Sequence, residues 1–81
     1  MTLHGLIAQV LREHGKGWQV EPSTAVDGNW LVGPAREPHV LLVTAKGEVW
    51  SQGRATGESL MCRRLLLDAI VKQGSAVIGH L

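Results

Sequence analysis

The sequence contains one cysteine, Cys62, and four histidines, and a nucleophilic catalytic site could be built from these side chains. Such catalysis needs a nucleophile, a base beside it and a group that orients the base. His14, His39 or His80 could serve as the base. Cys62, however, lies among apolar residues of a predicted helix, where a buried thiol behaves as a small hydrophobic side chain with a raised pKa. The sequence therefore predicts no catalytic residue, and we expect the chain not to be an enzyme.

The possible metal ligands are too widely spaced for a structural zinc site, which usually takes four Cys or His side chains at short intervals. No two of the candidates are closer than ten residues, and they are His4, His14, His39, Cys62 and His80. We therefore expect no metal and no other cofactor. A single cysteine excludes a disulfide within the chain and is typical of a reducing compartment, so a cytoplasmic location is the expectation.

A glycine-containing segment, residues 53–59, lies between a predicted strand and a predicted helix, where phosphate-binding loops occur. It lacks the Gly-Lys-Ser/Thr ending of one such motif, and its two glycines are too few for the dinucleotide fingerprint. We interpret the segment as a connector in which Thr56 or Ser59 caps the following helix. An anion site is the less favoured alternative.

Three arginines near the start of the last predicted helix, Arg54, Arg63 and Arg64, could form a modest basic patch. Tryptophans beside such a patch could stack on bases. Asp68 follows Arg64 by four residues, so we expect an ion pair that partly neutralises the patch. Eight Lys plus Arg stand against seven Asp plus Glu, whereas nucleic-acid binders usually show a basic excess. The charge balance thus disfavours nucleic-acid binding and leaves it as the second interpretation.

The first half of the chain reads as one helix followed by two strands. Thr2 can cap the helix and Gly15 can end it. Its apolar residues recur at helical spacing, at Leu3, Leu6, Ile7, Val10 and Leu11. Residues 18–21 alternate as a short strand that ends at Pro22. The Asp27-Gly28 turn then leads into a strand over residues 29–32, which Gly33-Pro34 is expected to break.

The second half reads as a hairpin followed by a helix. The apolar run within residues 39–44 predicts a central strand covered on both faces, and residues 48–52 return after a turn at 45–47. The last helix is predicted over residues 58–73, with Gly74 as its stop. The apolar tail at residues 76–78 could be a further strand or a packed terminus. The order α-β-β-β-β-α predicts one α+β domain over residues 1–81, an antiparallel sheet of three to four strands with both helices on one face.

This order of elements is similar in topology to the double-stranded-RNA-binding domain. The resemblance depends on two segments. One is Gly33-Pro34 with His39, before the third strand, and the other is residues 53–59, before the last helix. It would imply RNA binding through residues at the start of that helix. Where the family has a Lys-Lys pair, however, this chain has Leu60-Met61, and four strands are expected instead of three. The resemblance therefore covers the topology and almost none of the RNA-binding chemistry.

The last predicted helix carries more apolar residues than one buried stripe requires. One face of this helix is formed by Cys62, Leu66, Ala69 and Ile70. Other apolar side chains lie on different faces of the helix. Trp50 also lies on the opposite strand face from Val49. The sequence thus predicts a protein interface formed by Trp50, Leu60, Arg64, Leu67 and Val71.

The leading hypothesis is a non-enzymatic protein-binding module, an adaptor or inhibitor that occupies a surface of another protein. Domains of this size are common among phage and mobile-element accessory proteins. A homodimer would cover the same apolar surface, because two-fold contacts are the commonest form of self-association. No apolar run approaches the roughly 20 residues of a membrane span, so no membrane partner is expected.

Overall fold

The structure, a computed structural model, describes residues 2–14, 17–54 and 56–73. The elements follow in the order α1 (Leu3–His14), β1 (Trp18–Pro22), β2 (Trp30–Pro34), β3 (Leu41–Val43), β4 (Val49–Ser51) and α2 (Gly57–Gln73). All neighbouring strands are antiparallel, and the sheet order β1-β2-β3-β4 is the order along the chain. The predicted α+β class and the order of elements are confirmed, with four strands in the sheet.

Both helices lie on one face of the sheet because each has an apolar stripe that only this face can cover. The stripe of α1 buries Leu6, Ile7, Val10 and Leu11, and that of α2 buries Ser59, Cys62, Leu66 and Ile70. The sheet contributes inward-facing residues from its three later strands, Val32, Leu41, Val43 and Val49. One core therefore lies between a sheet layer and a helix layer.

The helix starts agree with the predicted caps. The backbone N–H of Gly5 donates to Thr2 Oγ1 at 3.0 Å. At the start of α2, the N–H of Ser59 donates to Thr56 Oγ1 at 3.1 Å, and the N–H of Thr56 donates to Ser59 Oγ at 2.8 Å. This reciprocal pair satisfies helix-terminal amides in the manner of a capping box. The predicted helix stops Gly15 and Gly74 and the apolar tail at 76–78 lie outside the described residues.

The prediction that Gly33-Pro34 breaks β2 is wrong, since the strand continues to Pro34, opposite Trp18. Bonded and non-bonded pairs alternate along an antiparallel ladder. The N–H of Ala35 donates to the carbonyl of Gly17 at 3.1 Å, so the neighbouring Pro34 falls on a position that makes no bond to β1. On its other side β3 pairs only with the first three residues of β2. The missing N–H therefore costs no ladder bond.

The prediction that the strand within residues 39–44 is covered on both faces is also wrong. The strand is shorter, Leu41–Val43, and its outer face is covered only in part. Leu41 and Val43 are fully buried beneath the helices, whereas Leu42 points to the opposite face and is half-buried. Because the helices occupy a single face, the four-residue apolar run places one leucine on the open side of the sheet.

Candidate functional site

The face of the sheet opposite the helices carries a row of side chains that crosses all four strands. In the strand register, Glu21 of β1 lies opposite Leu31 of β2. Leu31 in turn lies opposite Leu42 of β3, and Leu42 opposite Trp50 of β4. Paired residues share a face, and successive residues of a strand alternate between faces. We call Leu31, Leu42 and Trp50 the outer apolar row.

The outer apolar row is accessible to solvent. The Trp50 side chain is 55% exposed, and Leu31 and Leu42 are half-buried. None of the three belongs to the core or packs against it, whereas the adjacent inward-facing Leu41 and Val43 are fully buried. Three neighbouring apolar side chains on an open sheet face form a contiguous patch, and such patches mark interaction sites more often than scattered single residues do.

Carboxylates flank the row at both ends. At the β1 end, Glu21 Oε1 lies 2.7 Å from His39 Nε2. At the β4 end, the Trp50 indole Nε1–H donates to Glu48 Oε1 at 3.4 Å, which is long for a hydrogen bond. The indole N–H is therefore weakly held and can turn to a better acceptor. An apolar centre with a polar rim is the usual composition of a protein-binding surface.

The other two tryptophans have structural roles on the inner face. Trp18 and Trp30 are half-buried and pack against the core. The Trp18 Nε1–H donates to Glu58 Oε1 at 2.6 Å, which ties β1 to the start of α2. The Trp30 ring lies 4.7 Å from the His4 ring, centroid to centroid. Trp50 is thus the tryptophan that is presented to solvent.

The structure places the residues of the predicted interface on two separate surfaces of the molecule. Leu60 and Val71 are exposed, as is Arg64, and all three lie on the side of α2 turned away from the core. Trp50 lies on the far side of the sheet, so the fold does not bring it together with them. Leu67 is half-buried and packs against the core, which removes it from the exposed surface.

The three arginines of the nucleic-acid alternative also differ in their surroundings. Arg54 and Arg64 are exposed, whereas Arg63 is half-buried and its Nε–H donates to the carbonyl of Val49 at 3.1 Å. Val49 belongs to the edge strand β4, so Arg63 satisfies a carbonyl that no strand covers. The expected ion pair between Arg64 and Asp68 is not formed. Asp68 Oδ2 instead lies 3.2 Å from Lys72 Nζ, one turn further along.

A groove with a cavity volume of about 390 Å³ runs between the two helices on the side away from the sheet. Its apolar floor and its polar rim come from both helices, and the lining residues are Leu6, Gln9, Val10, Glu13, Leu65, Asp68, Ala69, Lys72 and Gln73. The charged side chains of the lining are Glu13, Asp68 and Lys72, and the last two form an ion pair with each other.

The Cys62 thiol is fully buried, and burial raises its pKa from 9.0 to about 12, with a smaller contribution from the negative charge of Glu58. A thiol reacts through its thiolate, and this shift lowers the thiolate fraction at pH 8 by a factor of roughly 1000. Cys62 therefore lacks both the exposure and the ionisation that a nucleophile or a redox sensor needs.

We expect two measurable consequences of this burial. A thiol reagent at pH 8 should label the denatured chain readily and the native chain very slowly. Because the native state holds the thiol proton more tightly, the free energy of unfolding should fall as pH rises above about 9, by at most about 1.4 kcal/mol per pH unit, until about 12. Cys62→Ala should lack this component in urea titrations at pH 8 and pH 10.5. Equal pH slopes for the two chains, or rapid native labelling, would contradict it.

Within the described residues, no three His, Cys, Asp or Glu side chains are grouped so that they could hold a metal ion. Neither α1 nor α2, the helices in the described part of the chain, has the length and apolar character needed to cross a membrane. Comparison with protein-family models, with curated protein sequences and with solved structures finds no match.

Sequence reasoning identified Trp50 and did not find its neighbours Leu31 and Leu42. Apolar residues occur on both faces of the strand that contains Leu31, so the sequence does not indicate which face of the sheet is exposed there. The apolar run around Leu42 predicts a strand covered on both faces, so the sequence does not mark Leu42 as accessible. The available signal was the register: pairing a strand at 30–34 with one at 41–43 places Leu31 beside Leu42, and the hairpin turn at 45–47 then places Leu42 beside Trp50.

Proposed function

We propose that this chain is a non-enzymatic protein-binding module and that the outer apolar row is its contact surface. Such a module acts by occupying a surface of another protein, as adaptors and small inhibitors do. The observation that carries the proposal is the alignment of Leu31, Leu42 and Trp50 across three strands on the sheet face that no helix covers. Tryptophan is among the residue types enriched at interface hot spots.

The alternatives receive less support from the same residues. The one cysteine is buried with a raised pKa, which does not favour covalent catalysis. Of the three arginines that a nucleic-acid site would use, Arg63 already donates to the Val49 carbonyl. The exposed surface of α2 also carries apolar side chains, Leu60, Met61, Leu65 and Val71, but the charged Asp68–Lys72 pair lies among them.

Affinity capture from an extract of the native host tests the proposal when three chains are compared. The unmodified chain and Leu60→Ala should retain the same protein, because Leu60 lies on the solvent side of α2 and is 52% exposed. Trp50→Ala should lose it, because truncating a hot spot costs at least about 2 kcal/mol of binding free energy.

Two results of that comparison would contradict the proposal. One is a protein retained by Trp50→Ala and lost with Leu60→Ala, which would assign the contact to α2. The other is a captured fraction that disappears after nuclease treatment. Retention on heparin that weakens steeply with salt would accompany the second result and support the nucleic-acid alternative.

A further inference from the structure

The β1 strand forms one edge of the sheet and pairs with β2 on one side. In this ladder the N–H of Ala35 donates to the carbonyl of Gly17, and bonded positions recur at every second residue. The N–H and C=O groups of Trp18 and Val20 therefore point away from β2. No hydrogen bond among the described residues reaches these groups. Unpaired backbone donors and acceptors at alternate residues are complementary to another extended backbone.

The opposite edge of the sheet, β4, is partly closed. The N–H of Gln52 donates to the carbonyl of Val40, so Val49 and Ser51 direct their backbone groups away from β3. The Val49 carbonyl accepts the Nε–H of Arg63 at 3.1 Å. A side chain of α2 thus occupies this edge, which makes β1 the edge that can accept an added strand.

A notch with a cavity volume of about 240 Å³ lies between α1 and β1. Its lining residues are Ala8, Leu11, Arg12, Trp18, Gln19 and Val20. Val20 packs against the core and is still only half-buried, so the inner layer is incomplete at this strand. An added strand would lie about 4.8 Å from β1, and its side chain opposite Val20 would enter the notch. Because a cavity of about 150 Å³ holds benzene, the notch has room for a leucine or isoleucine side chain.

Arg12 supplies a charge at one end of the notch. The helix α1 and the strand β1 run in opposite directions, since the His14 ring meets Trp18 at one end and the His4 ring meets Trp30 at the other. Arg12 therefore lies toward the Trp18 end. It is exposed, and the ion pairs among the described residues do not include it. A carboxylate beside Trp18 would pair with this guanidinium.

We propose that β1 binds an extended segment of a partner protein as an antiparallel fifth strand of the sheet. The segment carries an aliphatic residue opposite Val20 and, two residues later, an Asp or Glu opposite Trp18. Both Val20 and Trp18 exchange backbone hydrogen bonds with it, and the carbonyl of Pro22 accepts one more. Pro22 has no N–H to donate, so the ladder ends there. This contact goes beyond the proposed function, because it uses a surface separate from the outer apolar row.

Selection of binders to the full chain from a random-peptide display library tests this proposal. The enriched peptides should share an aliphatic residue followed two positions later by Asp or Glu. Ala8→Leu should weaken their binding at least roughly tenfold, because the added side chain fills the notch. Gln9→Leu is the matched control on the same helix, since Gln9 lines the other groove. It should bind the peptides as the unmodified chain does.

Two further variants test the backbone contact and the charge. Val20→Pro should also weaken binding at least roughly tenfold, because it removes an N–H that faces the added strand. The sheet should be retained, since that N–H makes no bond to β2, and circular dichroism should show that each variant is folded. Selection against Arg12→Glu should replace the acidic residue of the enriched peptides by Lys or Arg.

Hydrogen exchange of the Val20 and Trp18 amides reports the pairing directly. Both amides should exchange rapidly in the chain alone and slowly with an enriched peptide bound. Protection in the chain alone would overturn the proposal, because a second copy or another part of the chain would then already cover the edge. So would the absence of enriched peptides, or peptides that bind Ala8→Leu and Val20→Pro unchanged.

Failure of this proposal and failure of the proposed function give different results. Trp50→Ala should bind the enriched peptides as well as the unmodified chain does, because Trp50 lies on the other edge strand. Peptides lost with Trp50→Ala and retained by the β1 variant Val20→Pro would overturn the fifth strand and leave the outer apolar row standing. Edge-bound peptides together with no Trp50-dependent capture would overturn the outer apolar row alone.

Discussion

Leu66→Ala is expected to lower the free energy of unfolding by about 3–4 kcal/mol, within the range found for leucine truncations in protein cores. Leu66 is fully buried in the stripe of α2 that faces the sheet, and the alanine side chain would leave a cavity that the neighbouring residues fill only in part. A domain of this size has a total stability of only about 4–12 kcal/mol. Chemical denaturation should therefore show a much lower midpoint with an unchanged slope.

Leu60→Ala is the matched control, because it makes the same change in the same helix at a side chain that is 52% exposed. We expect it to change the free energy of unfolding by less than about 1 kcal/mol. Equal effects of the two substitutions would show that α2 does not pack by the stripe of Ser59, Cys62, Leu66 and Ile70.

Gly33→Ala is expected to destabilise the chain by about 2–3 kcal/mol, the cost of forcing an added methyl into a packed position. A Cβ atom at Gly33 would lie closer than 3 Å to the backbone of Glu37 and Pro38. Backbone atoms cannot turn aside as a flexible side chain can, so the loop that follows β2 would have to move. Thermal unfolding of the variant should show the loss.

Gly57→Ala provides the comparison for this backbone contact. A Cβ atom at Gly57 meets no heavy atom within 4 Å, and the residue is at the start of α2. Alanine is favoured over glycine in helices by about 1 kcal/mol, so this change should be neutral or stabilising. A Gly33→Ala chain as stable as Gly57→Ala would contradict the close approach of the loop to β2.

The class and order of elements were predictable because local signals agreed with one another. The apolar spacing of α1, the Thr2 and Thr56 caps and the Asp27-Gly28 turn each depend on neighbouring residues, and the structure contains all of them. Gly28 adopts a φ of 87°, which the turn requires and which glycine tolerates. Patterns of this kind are visible in a single sequence.

The two errors in the sheet came from features that only neighbouring strands decide. Gly33-Pro34 is a chain breaker by local preference, yet the register gives Pro34 a position where no N–H is needed. The apolar run around Leu42 reads as doubly buried, and the position of both helices on one face leaves this side chain half open. Strand-to-strand context was therefore needed to recognise the outer apolar row.

The exposure of the residues in the predicted interface was foreseen only in part for the same reason. Helical spacing alone placed Leu60 and Val71 away from the buried stripe, and both are exposed. It could not place Leu67, which lies at the boundary between the two faces and packs against the core. Helical spacing also could not show that Trp50 and the exposed residues of α2 lie on different surfaces, because the layer in which each lies depends on the complete fold.

Hydroxyl-radical footprinting of the chain in an extract of its native host, compared with the purified chain at high dilution, tests the outer apolar row most directly. Trp50 and Met61 are both easily oxidised and are 55% and 61% exposed, on the open sheet face and on α2 respectively, so each serves as the reference for the other. We expect oxidation of Trp50 to fall in the extract while that of Met61 is unchanged. Unchanged oxidation of Trp50 with protection of Met61 would contradict the assignment of the binding surface to the sheet.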